Sequence, residues 1–138
     1  KIPESRLWLD NVLCDTSIAT GRRNNLKGYL NDIANSKIAV SVRGHGMDTI
    51  RSWEIPMFDT LLFTHDNGQV RTYPFEDGKT CVMFKNDLSD FKEKLEYYLN
   101  NEEECKKIAL AGRDHLYKYH TCEKRAKYII DKTFELRK

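Results

Sequence analysis

The sequence predicts a three-layer α/β domain with a short parallel sheet and helices at its C-terminal end. Continuous apolar runs at 38–42 and 60–64 are typical of strands that are buried on both faces of a sheet. Apolar residues at helical spacing lie before the first run and throughout the last fifty residues. The order strand, short helix, strand, polar excursion, strand and helices suits parallel strands, since these need crossover connections.

Length and composition limit the classes of protein that this chain can belong to. A chain of 138 residues suits one domain over 1–138, with a poorly defined N-terminal segment at 1–25. A balance of 23 basic and 21 acidic residues gives no electrostatic reason to expect a nucleic-acid partner. No apolar run approaches the ~20 residues of a transmembrane segment, and no signal-peptide pattern occurs. Because the chain opens on Lys1 rather than Met, we expect a processed protein or a fragment.

The four cysteines predict neither a metal site nor a disulfide framework. They contain no C-x-x-C pair, whereas a zinc site needs closely paired ligands, so we expect no metal. A chain that can build a core does not need a disulfide framework. We interpret the cysteines as reduced thiols of a cytoplasmic protein; they are Cys14, Cys81, Cys105 and Cys122.

The first half of the chain predicts two helices and two strands. Apolar residues at helical spacing predict a helix over Leu26 to Ala34, followed by a strand at 38–42. A short helix should begin at about Ile50, and Pro56 should end or distort it within two turns. The uninterrupted run from Thr60 to Thr64 predicts a second buried strand.

The second half begins with a polar, turn-rich stretch from His65 to Gly78, which forms either a hairpin or an irregular excursion. Cys81 to Phe84 predicts the third strand, and three helices follow. Ser89 is the expected cap of the first, Asn101 of the second, which runs to about Tyr119, and Thr121 of the third. The expected buried residues of the second are Cys105, Ile108, Ala109, Gly112 and Leu116. Those of the third are Ala126, Ile129, Ile130, Thr133 and Phe134.

The stretch from Val42 to Glu54 is the strongest candidate for a site. It predicts a buried strand, a glycine loop and a helix N-terminus, an arrangement that holds anionic groups in α/β proteins. Loops that follow parallel strands also lie at the sheet edge where ligands bind. Two glycines in a loop are nevertheless more often just a tight turn. The candidate binding residues are Arg43, Gly44, His45, Gly46, Asp48, Thr49, Arg51 and Glu54.

Within this stretch, Arg51 and Glu54 are three residues apart and share one helical face. Glu54 either forms an ion pair with Arg51 or another arginine, or accepts a hydrogen bond from a ligand hydroxyl. His45 between two glycines is more often incidental than catalytic. Other polar residues carry weaker signals: Asp66 and Asn67 form a turn that could also face a ligand, Arg71, Tyr73 and Glu76 lie in the excursion, and His115 and His120 are expected to pack or to be solvated.

Several stretches resemble those of exostosin-like and group 1-like glycosyltransferases. Arg43 to Glu54 is similar to the R-G-x-G-x-D-T-x-R-x-W-E stretch of that family, and Thr60 to Thr64 to the strand that follows it. Asp77 to Phe84 resembles the D-G-x-x-x-V-x-F strand. The A-G-R, H-T and R-A pieces at 111–113, 120–121 and 125–126 resemble the family's C-terminal ending. The pieces occur in the family's order over about residues 30 to 135.

The resemblance implies the C-terminal, donor-binding half of a GT-B fold, a Rossmann-like domain that binds a nucleotide-diphosphate sugar. The parent enzyme would transfer a hexosyl group to a sugar or other hydroxyl acceptor, and would need no metal. The family role of the position of Glu54 is to contact the nucleotide ribose, while the preceding loop faces the diphosphate and the sugar. Arg51 would neutralise phosphate charge. No catalytic residue is assigned.

The chain also departs from the family pattern. Where relatives often have Glu-Ala-x-x-x-Gly, Pro56 interrupts the helix and Asp59 replaces the glycine. The first glutamate of the E-x7-E motif would fall at Gly46 and is absent. A GT-B enzyme binds its acceptor through a second, N-terminal domain, for which 138 residues leave no room, so this fragment alone should not be active.

The alternative is a non-catalytic α/β module that binds a nucleotide or a protein. A phosphate-binding hydrolase or kinase is disfavoured, because neither a G-x-x-x-x-G-K-[ST] loop nor a G-x-S-x-G turn occurs.

Overall fold

A parallel three-stranded sheet organises the part of the chain that the computed structural model describes, residues 25–44, 46, 48–66 and 68–137. Its strands are β1 (Ile38–Ser41), β2 (Leu61–His65) and β3 (Val82–Phe84), and β2 lies in the centre. Both pairings are parallel. The predicted α/β class with a short parallel sheet is therefore confirmed. The poorly defined segment at 1–25 lies outside the described residues, except for its last residue.

Among the described residues, five helices accompany the sheet, and their bounds agree with the predicted ones to within one or two residues. They are α1 (Leu26–Ala34), α2 (Arg51–Glu54), α3 (Phe91–Asn100), α4 (Glu102–Tyr119) and α5 (Cys122–Glu135). A 3-10 turn, Ile55–Phe58, continues α2. Pro56 lies in this turn, because its ring and its missing N–H are incompatible with a continued α-helix. The predicted interruption at Pro56 is confirmed.

The two faces of the sheet are covered mainly by different helices, which gives the three predicted layers, and the end of α4 reaches the second face through Leu116. Leu61 and Phe63 of β2 point to one face and pack with residues of α3 and α4. Leu62, between them, points to the other face and packs with Ile33 of α1 and Ile55 of the 3-10 turn. Successive side chains of a strand alternate between faces, so a strand covered on both sides is apolar throughout. The five predicted buried residues of α4 are all buried.

Asp59, which stands where the family often has glycine, follows the 3-10 turn with a left-handed backbone, φ 58°. Glycine is usual at such a position because it has no Cβ, but aspartate also tolerates this conformation. Its carboxylate accepts a 2.8 Å hydrogen bond from Arg113 of α4. The family's backbone geometry is therefore compatible with this substitution.

Two predictions about helices α3 and α5 are wrong. Ser89 does not cap α3: the helix begins one residue later, after Asp90, and the Ser89 amide donates to the side chain of Asp87 instead. In α5, Ile129, Ile130 and Phe134 are 62%, 55% and 62% exposed, and no residue of this helix is buried. Helical spacing predicts an apolar face, but the described elements place nothing against it. Ala126 and Thr133 are likewise exposed. The cap at Thr121 is confirmed, since its hydroxyl accepts from the Lys124 amide.

The stretch between β2 and β3 is an irregular excursion rather than a hairpin. Its described residues contain no strand, and three of them have left-handed backbones: Gly68, Tyr73 and Gly78. A single bridge between Asp77 and Cys81 leads into β3. The polar turn residues favour this outcome, because they satisfy backbone groups locally and so compete with sheet pairing.

Candidate functional site

Two cavities lie where the sheet ends at the carboxyl ends of its strands. The larger has a volume of about 460 Å³ and the smaller about 370 Å³. His65, the last residue of the central strand, and Asp66 line both of them. Ligands of parallel α/β sheets bind at this edge, so topology and shape indicate the same place.

The larger cavity is formed mainly by the excursion after β2. Arg71 and Lys79 supply positive charge to it, and Ser52 at the start of α2 contributes a hydroxyl. The remaining lining residues are Leu62, Thr64, His65, Asp66, Gln69, Pro74, Phe75, Glu76, Asp77 and Met83. The cavity therefore presents cations, carboxylates and apolar surface within one opening.

Arg71 joins this cavity to the predicted glycine loop. Its guanidinium donates a 2.9 Å hydrogen bond to Asp48 and also bonds Gln69 at 2.6 Å. The guanidinium further lies over the ring of Trp53, with 5.3 Å to the centroid. The Arg71 side chain is only 20% exposed. Three contacts therefore hold this cation in one orientation in the cavity wall.

The glycine loop is closed by hydroxyl groups rather than by a helix cap. Thr49 does not cap α2; its hydroxyl bonds Ser41 at the end of β1 and Ser52 in α2, at 2.9 and 3.2 Å. Ser41 and Ser52 are bonded to each other at 2.9 Å and are almost fully buried. The polar pair Asp48 and Thr49 therefore does not cap α2, which has only four residues. The loop is fixed at its base by this triangle of hydroxyls.

Neither described glycine of the loop is required for packing. A Cβ added to Gly44 would meet Thr49 at 4.0 Å, and one added to Gly46 would meet the Asp48 carbonyl at 3.7 Å, both ordinary contacts. Neither has the positive φ that favours glycine. His45, between them, lies outside the described residues. Any need for these glycines would come from a group that approaches the loop from outside.

Arg51 and Glu54 line neither of the two cavities and instead contact Tyr29 of α1. The Tyr29 hydroxyl donates to Glu54 at 2.7 Å and accepts from Arg51 Nε at 3.3 Å. The hydroxyl thus stands between the two charged groups. Burial raises the pKa of Tyr29, and the neighbouring Glu54 raises it further while Arg51 opposes this. Glu54 does accept a hydrogen bond from a hydroxyl, but within the protein that hydroxyl belongs to Tyr29.

His65 contributes a neutral imidazole between the two cavities. Burial lowers the pKa of His65, and the nearby positive charge of Arg43 lowers it further. Its Nδ1 is buried without a hydrogen-bond partner. Arg43 itself lines the smaller cavity together with Gly68 and Asn86. Of the candidate binding residues between 43 and 54 that the structure describes, Arg43 is thus the one that lines either cavity.

Sequence reasoning gave Arg71 only a weak signal and missed Lys79 and His65 as cavity residues, because it treated the stretch after β2 as turn-rich structure. The turn is real: the Asp66 carboxylate accepts from the Gly68 amide at 2.8 Å. Asp66 lines both cavities all the same. The signal that could have identified them is topological. A segment that follows a parallel strand begins at the carboxyl end of that strand, which is the edge of the sheet where ligands bind.

Histidines and cysteines elsewhere have structural surroundings. His115 and His120 both bond the Tyr73 carbonyl, which confirms that they pack. Cys81 and Cys105 are buried free thiols, and burial raises the pKa of Cys81 to about 12. In the described ranges, no three His, Cys, Asp or Glu side chains are grouped so that they could hold a metal ion.

Comparison with known proteins identifies the family of this chain. A family model described as glycosyl transferase-like matches residues 8–131, and the chain belongs to this family. The resemblance predicted from the sequence is therefore confirmed.

Among characterised relatives, the chain is similar to protein O-glucosyltransferase 2 of Danio rerio, at 30% identity over 87 residues. The match covers 59% of this chain but 17% of that relative, so the chain spans a small part of the relative's length. In the described part of the chain, no helix has the length and apolar character needed to cross a bilayer.

Proposed function

We propose that this chain is the donor-binding part of a glycosyltransferase of GT-B architecture, which holds a nucleotide-diphosphate sugar at the carboxyl edge of its sheet. Membership of the glycosyl transferase-like family supports the reaction class. The main support for this location of the donor site is the Arg71–Asp48 contact, because it joins the predicted loop to the larger cavity.

The charges around the two cavities suit a diphosphate. Arg71 and Lys79 line the larger cavity and Arg43 the smaller, while His65 lies between them. When a sugar leaves a nucleotide diphosphate, negative charge develops on the departing phosphate. Fixed cations stabilise that charge in the transition state. These side chains would supply this stabilisation in place of a metal ion.

Glu54 would accept a hydrogen bond from the ribose of the nucleotide. It already accepts one from Tyr29, so the ribose hydroxyl would replace the phenol or share the carboxylate with it. Arg51, which contacts the same phenol, would move toward the phosphates when that bond is released. Donor binding on this side therefore requires a side-chain rearrangement at Tyr29.

The acceptor and the hexosyl transfer itself belong to the whole enzyme. The zebrafish relative is much longer than this chain, which leaves room for a second domain that binds a hydroxyl acceptor. We propose such an N-terminal domain for the enzyme that contains this chain, and a cytoplasmic location for it. The isolated chain would then bind a donor without transferring the sugar.

A calorimetric titration with UDP-, GDP-, ADP- and CDP-sugars tests this proposal. Saturable binding of one nucleotide, weakened by Arg71→Ala and by Glu54→Gln, is the expected result. Glu103→Gln is the matched control, since Glu103 is an exposed carboxylate on α4 far along the chain from the site. Binding that none of these changes affects would place the donor elsewhere.

A non-catalytic binding module is the second candidate, and one observation favours it. Arg51 and Glu54 are occupied by Tyr29 and line neither cavity, so the family's nucleotide contacts are not preformed. Absence of binding to every donor, in a chain whose circular dichroism shows it to be folded, would favour this module over the transferase domain.

A further inference from the structure

The ends of α4 and α5 meet the wall of the larger cavity through one aromatic cluster. It consists of Trp53, Tyr73, His115, His120 and Arg125. The Trp53 ring lies 4.8 Å from the His120 ring, and the Arg125 guanidinium lies 4.7 Å from the Trp53 centroid. Arg71, which lines the cavity, lies over the same indole at 5.3 Å. Trp53 therefore contacts both the cavity cation and the C-terminal helices.

The partners of His120 determine which of its nitrogens carries the proton. Its Nε2 lies 2.7 Å from the Tyr73 carbonyl, which can only accept, so Nε2 must donate. Its Nδ1 lies 3.0 Å from the Arg125 guanidinium, which can only donate, so Nδ1 must accept. Both bonds are satisfied only by the neutral imidazole with the proton on Nε2. Protonation of Nδ1 would make it a donor, and because the Arg125 guanidinium that faces it is also a donor, this hydrogen bond would be lost.

The charged surroundings of His120 agree with this state. Burial lowers the pKa of His120, and positive charge reaches it from Arg125 of α5, His115 of α4 and Arg71 of the excursion. The neighbours from α2 and from the end of the excursion, Trp53 and Phe75, are uncharged rings. None of these described neighbours of His120 is a carboxylate.

The Tyr73 carbonyl is the second group that the cluster holds. His115 also donates to it, at 3.0 Å, so two imidazoles use the two lone pairs of one oxygen. Tyr73 has a left-handed backbone, φ 54°, which is unfavourable for a residue with a side chain. Its ring stacks on Tyr119 at 4.2 Å. These contacts hold a strained residue two positions after Arg71, within the segment that forms the cavity wall.

We infer that His120 and Arg125 are positioning residues, which hold Trp53 and the Tyr73 carbonyl so that the Arg71 guanidinium stays in the cavity wall. His120 touches the excursion directly, and Arg125 touches both His120 and the indole on which Arg71 lies. The two histidines differ in this respect, because His115 bonds the same carbonyl but not Arg125. The inference rests on the proposed function in one respect only, the identity of the ligand that Arg71 binds.

The Nε–H resonance of Arg71 in a proton–nitrogen NMR spectrum, identified by its loss in Arg71→Lys, tests the inference without any ligand. His120→Phe keeps a ring beside Trp53 but removes both hydrogen bonds, and it should shift this resonance and speed its exchange with water. His115→Phe removes one of the two hydrogen bonds to the Tyr73 carbonyl but keeps His120 and Arg125, so it should shift the resonance less than His120→Phe does. His120→Gln, whose amide has one donor and one acceptor group, should restore it.

Arg125 is exposed, so Arg125→Leu tests the same inference in a variant whose core is intact. It should shift the Arg71 resonance as His120→Phe does. An Arg71 resonance unchanged in both variants, or one that His115→Phe shifts as strongly, would overturn the positioning role. Either result would leave only a general packing role for the cluster.

Titration of the same variants with the panel of nucleotide sugars separates this inference from the proposed function. His120→Phe should weaken binding by about threefold to tenfold, because an oriented side chain becomes free before binding. A spectral shift without donor binding to the unaltered chain would support the positioning role and contradict the proposed function. If Arg71→Ala weakens donor binding while His120→Phe and Arg125→Leu leave it unchanged, the proposed function is supported and the positioning role is contradicted.

Discussion

Arg71 and Asp48 form an ion pair of 2.9 Å between segments that follow different strands of the sheet. Asp48 belongs to the loop after β1 and Arg71 to the excursion after β2. The Asp48 side chain is 46% exposed to solvent, so the direct contribution of the ion pair to the stability of the fold is small. Its importance is geometrical, because it places a cation from the excursion beside the glycine loop.

Replacement of Arg71 by alanine is expected to weaken donor binding by about tenfold to a hundredfold, since a hydrogen bond to a charged group contributes about 1.5–3 kcal/mol. Arg71→Lys should recover only part of this loss, because lysine lacks the planar fork that bonds Asp48 and Gln69 together. Calorimetry measures both. Arg137→Ala, at an exposed C-terminal position, is the control. Equal affinity of Arg71→Ala and the unaltered chain would remove Arg71 from the site.

Alanine at Gly44 or Gly46 is expected to leave the stability of the chain within about 0.5 kcal/mol, since a methyl group fits at both positions. Donor binding should nevertheless weaken if the ligand approaches the backbone of this loop. Urea unfolding and calorimetry measure the two effects separately. A large loss of stability would show that the glycines serve the fold, while full stability and full affinity would exclude close backbone approach.

Gly112→Ala is expected to destabilise the chain although alanine is the better helix former. A Cβ at this position would lie 2.5 Å from the Thr80 carbonyl oxygen, so α4 would have to move away from β3. Overpacking costs about 1–3 kcal/mol and the gain in helix propensity is about 1 kcal/mol, which leaves a net loss of up to about 2 kcal/mol. Chemical unfolding measures it. Lys107→Ala, exposed on the same helix, should be nearly neutral.

Ile108 and Ile130 should respond very differently to replacement by alanine. Ile108 is 3% exposed in the core between α4 and the sheet, and its truncation should cost about 2–5 kcal/mol. Ile130 is 55% exposed on α5, and its truncation should change stability by about 0.5 kcal/mol or less. Denaturant midpoints of the two variants give the comparison. Similar losses at both positions would mean that the face of α5 is buried in solution.

The stability of the chain is expected to fall as the pH drops below 6.5, the usual pKa of histidine. His65 and His120 have lowered pKa values in the folded chain, chiefly through burial. The unfolded chain therefore takes up protons first, so unfolding becomes easier between the usual pKa and the lower folded one. Thermal unfolding from pH 7.5 to 5 measures this. His120→Gln should reduce the dependence, and an unchanged slope would exclude His120 as its source.

The elements of this domain could be predicted because each has a local signal. The run from Leu61 to Phe63 is apolar at every position, which is typical of a strand covered on both faces. Asn101 followed by three glutamates predicts where α4 begins, since acidic groups favour the positive end of a helix. The apolar face of α5 was also predicted, but its predicted burial is wrong, because a partner surface is no property of the helix itself.

The sequence by itself determined the α/β class, the element order and the family, since periodicity, turn residues and motif spacing are all local along the chain. The tertiary structure alone decided which side chains meet. It left Arg51 and Glu54 outside the walls of the two cavities, with both bonded to the Tyr29 hydroxyl, and it brought Arg71 to Asp48 across 23 residues. The physical reason is that the path of an irregular excursion depends on what it packs against, here Trp53 and the ends of α4 and α5, and no local pattern encodes those contacts.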